Sequence, residues 1–403
     1  MKDMAGFACE QDKPNQKPAG PGTFPLPALI ALALSGFVTI LTEALPAGLL
    51  PQIAGDLSVS QSAVGQTVTI YAIGSLIAAI PLTRATHKVR RRPLLTMTLA
   101  GFAIANIATA LSTSYALTMT ARFIAGISAG LLWALLAGYA ARLVPDEQKG
   151  RAIAVAMAGT PLALSIGIPA ATFLATLVGW RTCFTVMSAV AALLTIWVAT
   201  NVPDFPGQAS AEKVTLGSVL QISGVRPILF VTLAFVLAHN ILYTYIVPLL
   251  QPAGMTGSVD VVLLVFGCLS VVGIWFVGLF VDRRLLLLSI ISCLLFIAAM
   301  AILGFWPMLR SGVYLAIGLW GLAFGGAATI FQTAMARAAP QQTDIAQSML
   351  VTGWNVAIAG GGVLGGTMLD HLGLAAFVPA VVALLMACLA VISTRRNAFQ
   401  HSP

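Results

Sequence analysis

Long apolar runs alternate with short polar segments along nearly the whole chain. Twelve such runs occur, at about residues 27–52, 61–83, 93–113, 115–141, 150–176, 181–200, 227–250, 259–281, 285–305, 312–336, 343–367 and 373–393. A run of about 20 apolar residues matches the thickness of a bilayer core when wound as a helix. The pattern therefore predicts twelve membrane-crossing helices. The first run carries the strongest local signal. Residues 26–54 are apolar nearly throughout, with one acid, Glu43, near the middle. A carboxylate at that depth is costly and needs a partner or a task. At helical spacing Gly36, Thr39, Glu43, Ala47 and Leu50 share one small and polar stripe, which predicts a face toward other helices or a wet cavity rather than lipid. Pro46 and Pro51 loosen the helix beside the acid.

Composition agrees. Hydrophobic residues make up 59% of the chain and charged residues 8%, against about a quarter charged in soluble domains. The net charge of +8 would suit nucleic acid if the basic residues clustered, but they lie between the apolar runs, so they are read as topology signals and no nucleic-acid partner is expected. With the N-terminus in the cytoplasm, 18 of the 21 Lys and Arg residues fall in cytoplasmic segments. The positive-inside rule then places both termini in the cytoplasm. The expected organisation is a disordered cytoplasmic N-terminus over 1–25, a six-helix bundle over 26–200, a cytoplasmic linker over 201–226, a second six-helix bundle over 227–395 and a tail over 396–403. No small-residue cleavage site follows a short apolar core near the start, so no removable signal peptide is expected. The halves resemble each other. An offset of 197 residues pairs Pro51 with Pro248 and Glu43 with Asn240, and an offset of 195 pairs Arg142 and Pro145 with Arg337 and Pro340, and Gly167 with Gly362. The fold class is an all-α membrane protein of two pseudo-symmetric halves, with a site expected between them near the midplane.

The residues exclude several chemistries. There is no Walker A loop and no HExxH. The five cysteines show no paired or metal-type spacing, and four lie in apolar runs. No catalysis, metal or cofactor is expected. Three ionisable side chains lie deep in spans: Glu43, Arg122 and His239. Burial disfavours a charged carboxylate, which suits Glu43 as a group that takes up and releases protons; the plainer alternative is a neutral structural acid bonded to a neighbouring helix. Phe235, His239 and Tyr243 recur every four residues, with Asn240 and Thr244 alongside. Such a face suits a polar or amphipathic ligand, although helix-packing hydrogen bonds explain His and Asn equally well. Tyr245 is assigned to packing, and so is Trp133. Arg122 precedes Gly126 and Gly130 at four-residue spacing. The glycines permit close helix approach, and Arg122 must meet a carboxylate, carbonyls or water. Gln332 and Asn355 are further cavity candidates, Trp320 and Phe324 are lipid-facing, core or ligand-stacking, and Asp56 and Asp260 are read as helix caps.

These motifs resemble the major facilitator superfamily, in its twelve-helix drug/proton antiporter group and its sugar-efflux and arabinose-efflux permease branch. Thr42-Glu43 followed by Pro46, Gly48 and Pro51 resembles the branch's first helix, and Ala238-His239 followed by Tyr243, Tyr245 and Pro248 its seventh. Arg122, Gly126 and Gly130 match the family's fourth-helix motif, which the resemblance links to proton coupling. Gly179-Trp180-Arg181 before the sixth span also matches. The chain departs from the family in the loop after the second span, where Arg84-Ala85-Thr86 lacks the usual Gly and Asp and only Arg90, Arg91 and Arg92 keep the basic end; either this loop latches the helices in its own way or, the preferred reading, those arginines only set topology. The second half keeps Gly278, Asp282 and Arg283. Of the fifth-helix antiporter motif only Pro161, Gly167 and Pro169 remain, beside Gly159.

The resemblance implies a monomeric transporter in a bacterial inner membrane, driven by the proton gradient, with small-molecule substrate and protons as its partners. The first reading is an exporter of small sugars or amphipathic drugs by alternating access. A proton-coupled importer of a sugar, nucleoside or similar solute is the second. A non-transporting sensor or receptor is the third, weakened by the lack of any long soluble segment.

Overall fold

The computed structural model describes residues 24–82, 85–86, 88–145, 148–207 and 216–399, and nearly all of them are helical. The first six spans are α1 (Leu26–Gly48), α2 (Gln61–Ile77), α3 (Arg91–Leu111), α4 (Tyr115–Arg142), α5 (Val155–Val178) and α6 (Trp180–Asn201). The last six are α7 (Val225–Thr244), α8 (Thr256–Val281), α9 (Arg283–Phe305), α10 (Arg310–Ala338), α11 (Thr343–His371) and α12 (Phe377–Thr394). Among the described residues, eleven helices are long and apolar enough to cross a bilayer. The shortest span, α2, has 17 residues; that is about 26 Å of helix, and a π turn over Ala78–Leu82 carries it further. Twelve crossings are thus compatible with the structure. Arg84, the Asp282 side chain, residues 1–23 and 400–403 of the expected tails and 208–215 of the expected linker lie outside the described residues.

Proline shapes the spans more than their outlines suggest. A proline removes one helical N–H and its ring crowds the carbonyl four residues back. Pro46 lies near the end of α1, and after Leu49 the chain resumes as a short helix over Leu50–Leu57. Pro248 acts in the same way on α7, which stops at Thr244, turns at Tyr245 and restarts over Ile246–Leu250. In α5 a break at Ala158 precedes Pro161, and a π turn over Ala163–Gly167 precedes Pro169. Between α8 and α9 the sequence pattern leaves a short connection over 282–284, and in the structure the two helices meet there at a sharp kink, where Arg284 leaves helical geometry.

Two surface assignments change. The linker begins by docking on the first half: Tyr139 Oη donates to the Pro203 carbonyl at 2.6 Å and Arg142 Nη1 to that of Pro206 at 3.0 Å. Between them Asp204 pairs with Arg90 and accepts from the Arg92 amide at 3.0 Å. Burial raises the pKa of Asp204, but these hydrogen bonds and the arginine charges outweigh it and hold the carboxyl below its ordinary range. The basic loop therefore latches α3 to the end of α6, beyond any part in topology. Asp56 is not a cap. Its carboxylate pairs with Arg181 and accepts from Trp180 Nε1 at 2.8 Å, tying the end of α1 to the start of α6.

The two sets of six helices touch through α1 and α7, α2 and α11, and α5 and α8. Val68 and Ala72 of α2 pack with Val236 of α7 and Ala357 and Ile358 of α11. Beyond them Tyr245 forms a clasp. Its hydroxyl donates to the Gly362 carbonyl at 2.7 Å, while Gln66 Nε2 reaches the same carbonyl at 3.0 Å and the tyrosine oxygen at 3.3 Å. Gly65 and Gly365 lie against this ring, and a Cβ at either would strike it. Gln66 thus ties the first half to Tyr245 and Gly362 of the second, a role for Tyr245 that packing alone did not suggest. One such hydrogen bond contributes about 0.5–1.5 kcal/mol. Tyr245→Phe is expected to shift the open-to-closed ratio at this end by about 2- to 13-fold, read by fluorescence distance measurements between labels on α2 and α11.

Candidate functional site

Glu43 and Arg122 meet where α1, α2 and α4 cross, but not as an ion pair. Arg122 is 1% exposed. Its guanidinium donates to main-chain carbonyls: Nη1 to Thr42 at 2.5 Å, Nη2 to Glu43 at 3.2 Å and Nε to Thr67 at 3.4 Å. The Thr42 carbonyl is open to it because Pro46, four residues on, has no N–H to offer. Tyr71 completes the arrangement, with its ring 4.8 Å from the guanidinium carbon and its hydroxyl donating to the Thr39 carbonyl at 3.2 Å. From α3, Asn106 Nδ2 donates to Thr42 Oγ1 at 3.1 Å. A methyl group at Gly126 or Gly130 would strike the Tyr71 or Ser75 carbonyl, so these glycines set how closely α4 approaches α2 and hence how far Arg122 reaches.

The Glu43 carboxylate is half-buried. Among the described residues no hydrogen bond or ion pair engages it. It lies within electrostatic reach of Arg122, Tyr71 and, across the interface, Tyr243. Its oxygens are therefore the uncommitted part of this network, while the adjacent cation is spent on backbone.

Phe235, His239 and Tyr243 do share a face of α7, and that face turns into the second half. The His239 ring stacks on Phe324 with centroids 3.5 Å apart and planes 10° apart, and lies 5.0 Å from Tyr243, 5.3 Å from Trp320 and 5.7 Å from Phe266. Phe235 meets Phe296 and Phe331, each at 5.6 Å. The cluster is buried, and His239 Nδ1 and Trp320 Nε1 have no partners there among the described residues. Trp320 is core, at 0% exposure. Asn240 points elsewhere, bonding the Val236 carbonyl at 2.9 Å beside Gly361 of α11.

The remaining candidates stay apart from this cluster. Gln332 is exposed on α10 and its carbonyl accepts from Gln347 at 2.8 Å; Asn355 bonds the Val351 carbonyl of its own helix at 3.0 Å. Both lie nearer the linker end than His239. In α5, Gly167 abuts the Phe37 ring of α1, Pro161 and Pro169 flank the π turn, and the Leu164 carbonyl lies against Gly267 of α8. Gly278 makes no close approach, since a Cβ there would meet nothing. Arg283 is exposed near the linker end. Sequence reasoning missed Tyr71 and Asn106, although each is a polar group at span depth.

Residues 32–343 match the Major Facilitator Superfamily. The chain belongs to this family. It is 29% identical to the transcription regulatory protein OpdE of Pseudomonas aeruginosa, over 96% of this chain and 98% of that one. It is 27% identical to a probable sugar efflux transporter of Mannheimia succiniciproducens and 30% identical to the purine ribonucleoside efflux pump NepI of Salmonella paratyphi B, in both cases over 86% of this chain and 88% of the relative. Its fold matches a bacterial homolog of the human lysosomal transporter Spinster in an inward-facing, occupied conformation, with a TM-score of 0.78, 14% identity, and coverage of 95% of this chain and 100% of that one. The protein is a major facilitator transporter, a multi-pass protein of a bacterial inner membrane, and it moves a small molecule rather than converting one.

Proposed function

We propose that this transporter exports a small sugar- or nucleoside-like solute in exchange for protons, with Glu43 as the coupling acid. The uncommitted Glu43 carboxylate carries the reading: it lies at span depth, next to Arg122, and within electrostatic reach of Tyr243 of α7 on the facing half. The efflux relatives, named for a sugar and for purine ribonucleosides, support export and a polyhydroxylated solute. In alternating access the contacts around Tyr245 close one end while the other admits solute; the carboxylate loses its proton as solute is taken up and regains it from the opposite side. The unpartnered His239 Nδ1 is suited to a solute that carries its own hydrogen-bonding groups. The protein works as a monomer, with both termini in the cytoplasm.

Vesicles of opposite orientation test the direction. Everted vesicles with an acidic interior are expected to accumulate a labelled purine ribonucleoside or sugar, and right-side-out vesicles are not; uptake confined to right-side-out vesicles contradicts export. For orientation, a cysteine at the exposed Ser114, in a background without the five native cysteines, is expected to react with an impermeant reagent in intact cells. Reaction only after permeabilisation contradicts the proposed topology.

His239→Phe separates solute contact from packing. A phenyl ring suits the aromatic cluster and removes the unpartnered nitrogen, so thermal stability is expected to hold. Solute binding is expected to weaken by about 2- to 13-fold, the equivalent of one hydrogen bond. Unchanged binding makes His239 a packing residue. A regulatory role is the second reading, favoured by the OpdE relative; it gains if none of the solutes moves in either vesicle orientation.

A further inference from the structure

A cavity of about 1310 Å³ opens at the linker end of the second half, apart from the Glu43 network and the aromatic cluster. Its wall holds Arg226 at the start of α7, Arg337 at the end of α10, and Arg395 and Arg396 just past α12. No acidic side chain lines it among the described residues. A smaller cavity of about 250 Å³ shares Arg337 and adds Arg283 and Arg284.

Arg226, Arg395 and Arg396 are mostly uncommitted. Arg226 uses Nε on the Leu220 carbonyl at 2.8 Å, and Arg396 uses Nε on that of Ser393 at 3.2 Å. Their terminal nitrogens, and the whole Arg395 guanidinium, make no hydrogen bond or ion pair among the described residues. Guanidinium forks match the oxygens of a phosphate in geometry as well as charge. Like charges brought together around a cavity repel, and a bound anion relieves that repulsion. Phe230, 45% exposed, and Val391 supply an apolar wall beside the arginines, as a molecule with a charged head and a greasy body requires.

We propose that this cavity binds a phosphate group, held by Arg226, Arg395 and Arg396 and most simply supplied by an anionic phospholipid whose chains lie along Phe230. Basic cavities between membrane helices at a bilayer surface are suited to such headgroups. The proposal is independent of which solute is carried and of the role of Glu43.

The test uses the full-length protein, purified with its bound lipid and examined by native mass spectrometry after exchange into phosphatidylglycerol or phosphatidylcholine. Wild type is expected to retain phosphatidylglycerol over phosphatidylcholine. R226Q, R395Q and R396Q are each expected to reduce retention by about fivefold, with thermal unfolding checked to confirm that each variant is folded. Arg395→Lys, which keeps the charge, is expected to retain more lipid than R395Q. Pyrophosphate added to delipidated protein separates the sources. If it raises the unfolding temperature of wild type but not of R226Q while phosphatidylglycerol shows no preference, the phosphate comes from a soluble anion. Equal retention of both lipids by wild type together with no response to pyrophosphate overturns the proposal, as does retention by all three variants equal to that of wild type.

Discussion

Arg122→Lys is expected to lose transport and to unfold at a lower temperature, although the charge is kept. The guanidinium serves three carbonyls from three nitrogens, and those of Thr42 and Glu43 belong to consecutive residues of α1. An ammonium is a point donor on a flexible stem and does not reproduce that fork. Each buried carbonyl left unmet costs about 1–3 kcal/mol. Thr42 is the worst case, because Pro46 has already removed its helical donor. That gives the prediction a second arm. Pro46→Ala restores an N–H four residues from Thr42, so Arg122→Lys combined with Pro46→Ala is expected to be more stable than the sum of the single changes implies. A double-mutant cycle on thermal unfolding reads this coupling. Strict additivity would mean that Arg122 does not stand in for the missing helical donor.

The apolar runs make the fold legible because a bilayer leaves the backbone few choices: each crossing must satisfy its own hydrogen bonds over about 20 residues. Deep charges are legible for the same reason, and Glu43 and Arg122 do share one network. Their manner of meeting is not. Periodicity gives the face on which Arg122 lies, but the partner depends on the crossing of α4 with α1 and on the carbonyl freed by Pro46. The spacing of Phe235, His239 and Tyr243 gives a shared face but not the direction in which it turns. In a helix that is apolar all round, the sequence does not distinguish a side turned to its own bundle from one turned to the interface. Gln332 and Asn355 are cavity candidates by residue type alone, and in the structure Gln332 is exposed on α10 while Asn355 bonds its own helix. Tyr245 is hidden because its role rests on glycines about 180 and 120 residues away, Gly65 and Gly365, where only the fold brings them together. Asp204 and Asp56 escape the sequence likewise, since their arginine partners come from other segments.

Glu43→Gln is expected to fold, to bind solute, and to fail in uphill transport. Glutamine keeps the size and polarity of the side chain but represents only the protonated state. The native carboxylate has no fixed partner among the described residues, so its replacement breaks no hydrogen bond and leaves no donor stranded. Arg122 keeps its three carbonyls, because it bonds the main chain of Glu43 and not its side chain. Loss of function in this variant therefore reports on the proton and not on the fold. Exchange of labelled for unlabelled solute across the membrane moves no net proton and is expected to survive.

The most direct measurement is solute accumulation in proteoliposomes under an imposed pH gradient, with wild type and Glu43→Gln side by side and exchange measured in the same preparations. Wild type is expected to concentrate solute against its gradient, whereas Glu43→Gln exchanges solute but only equilibrates it. Accumulation by Glu43→Gln at the wild-type level in response to the pH gradient would contradict the assignment of Glu43 as the coupling acid.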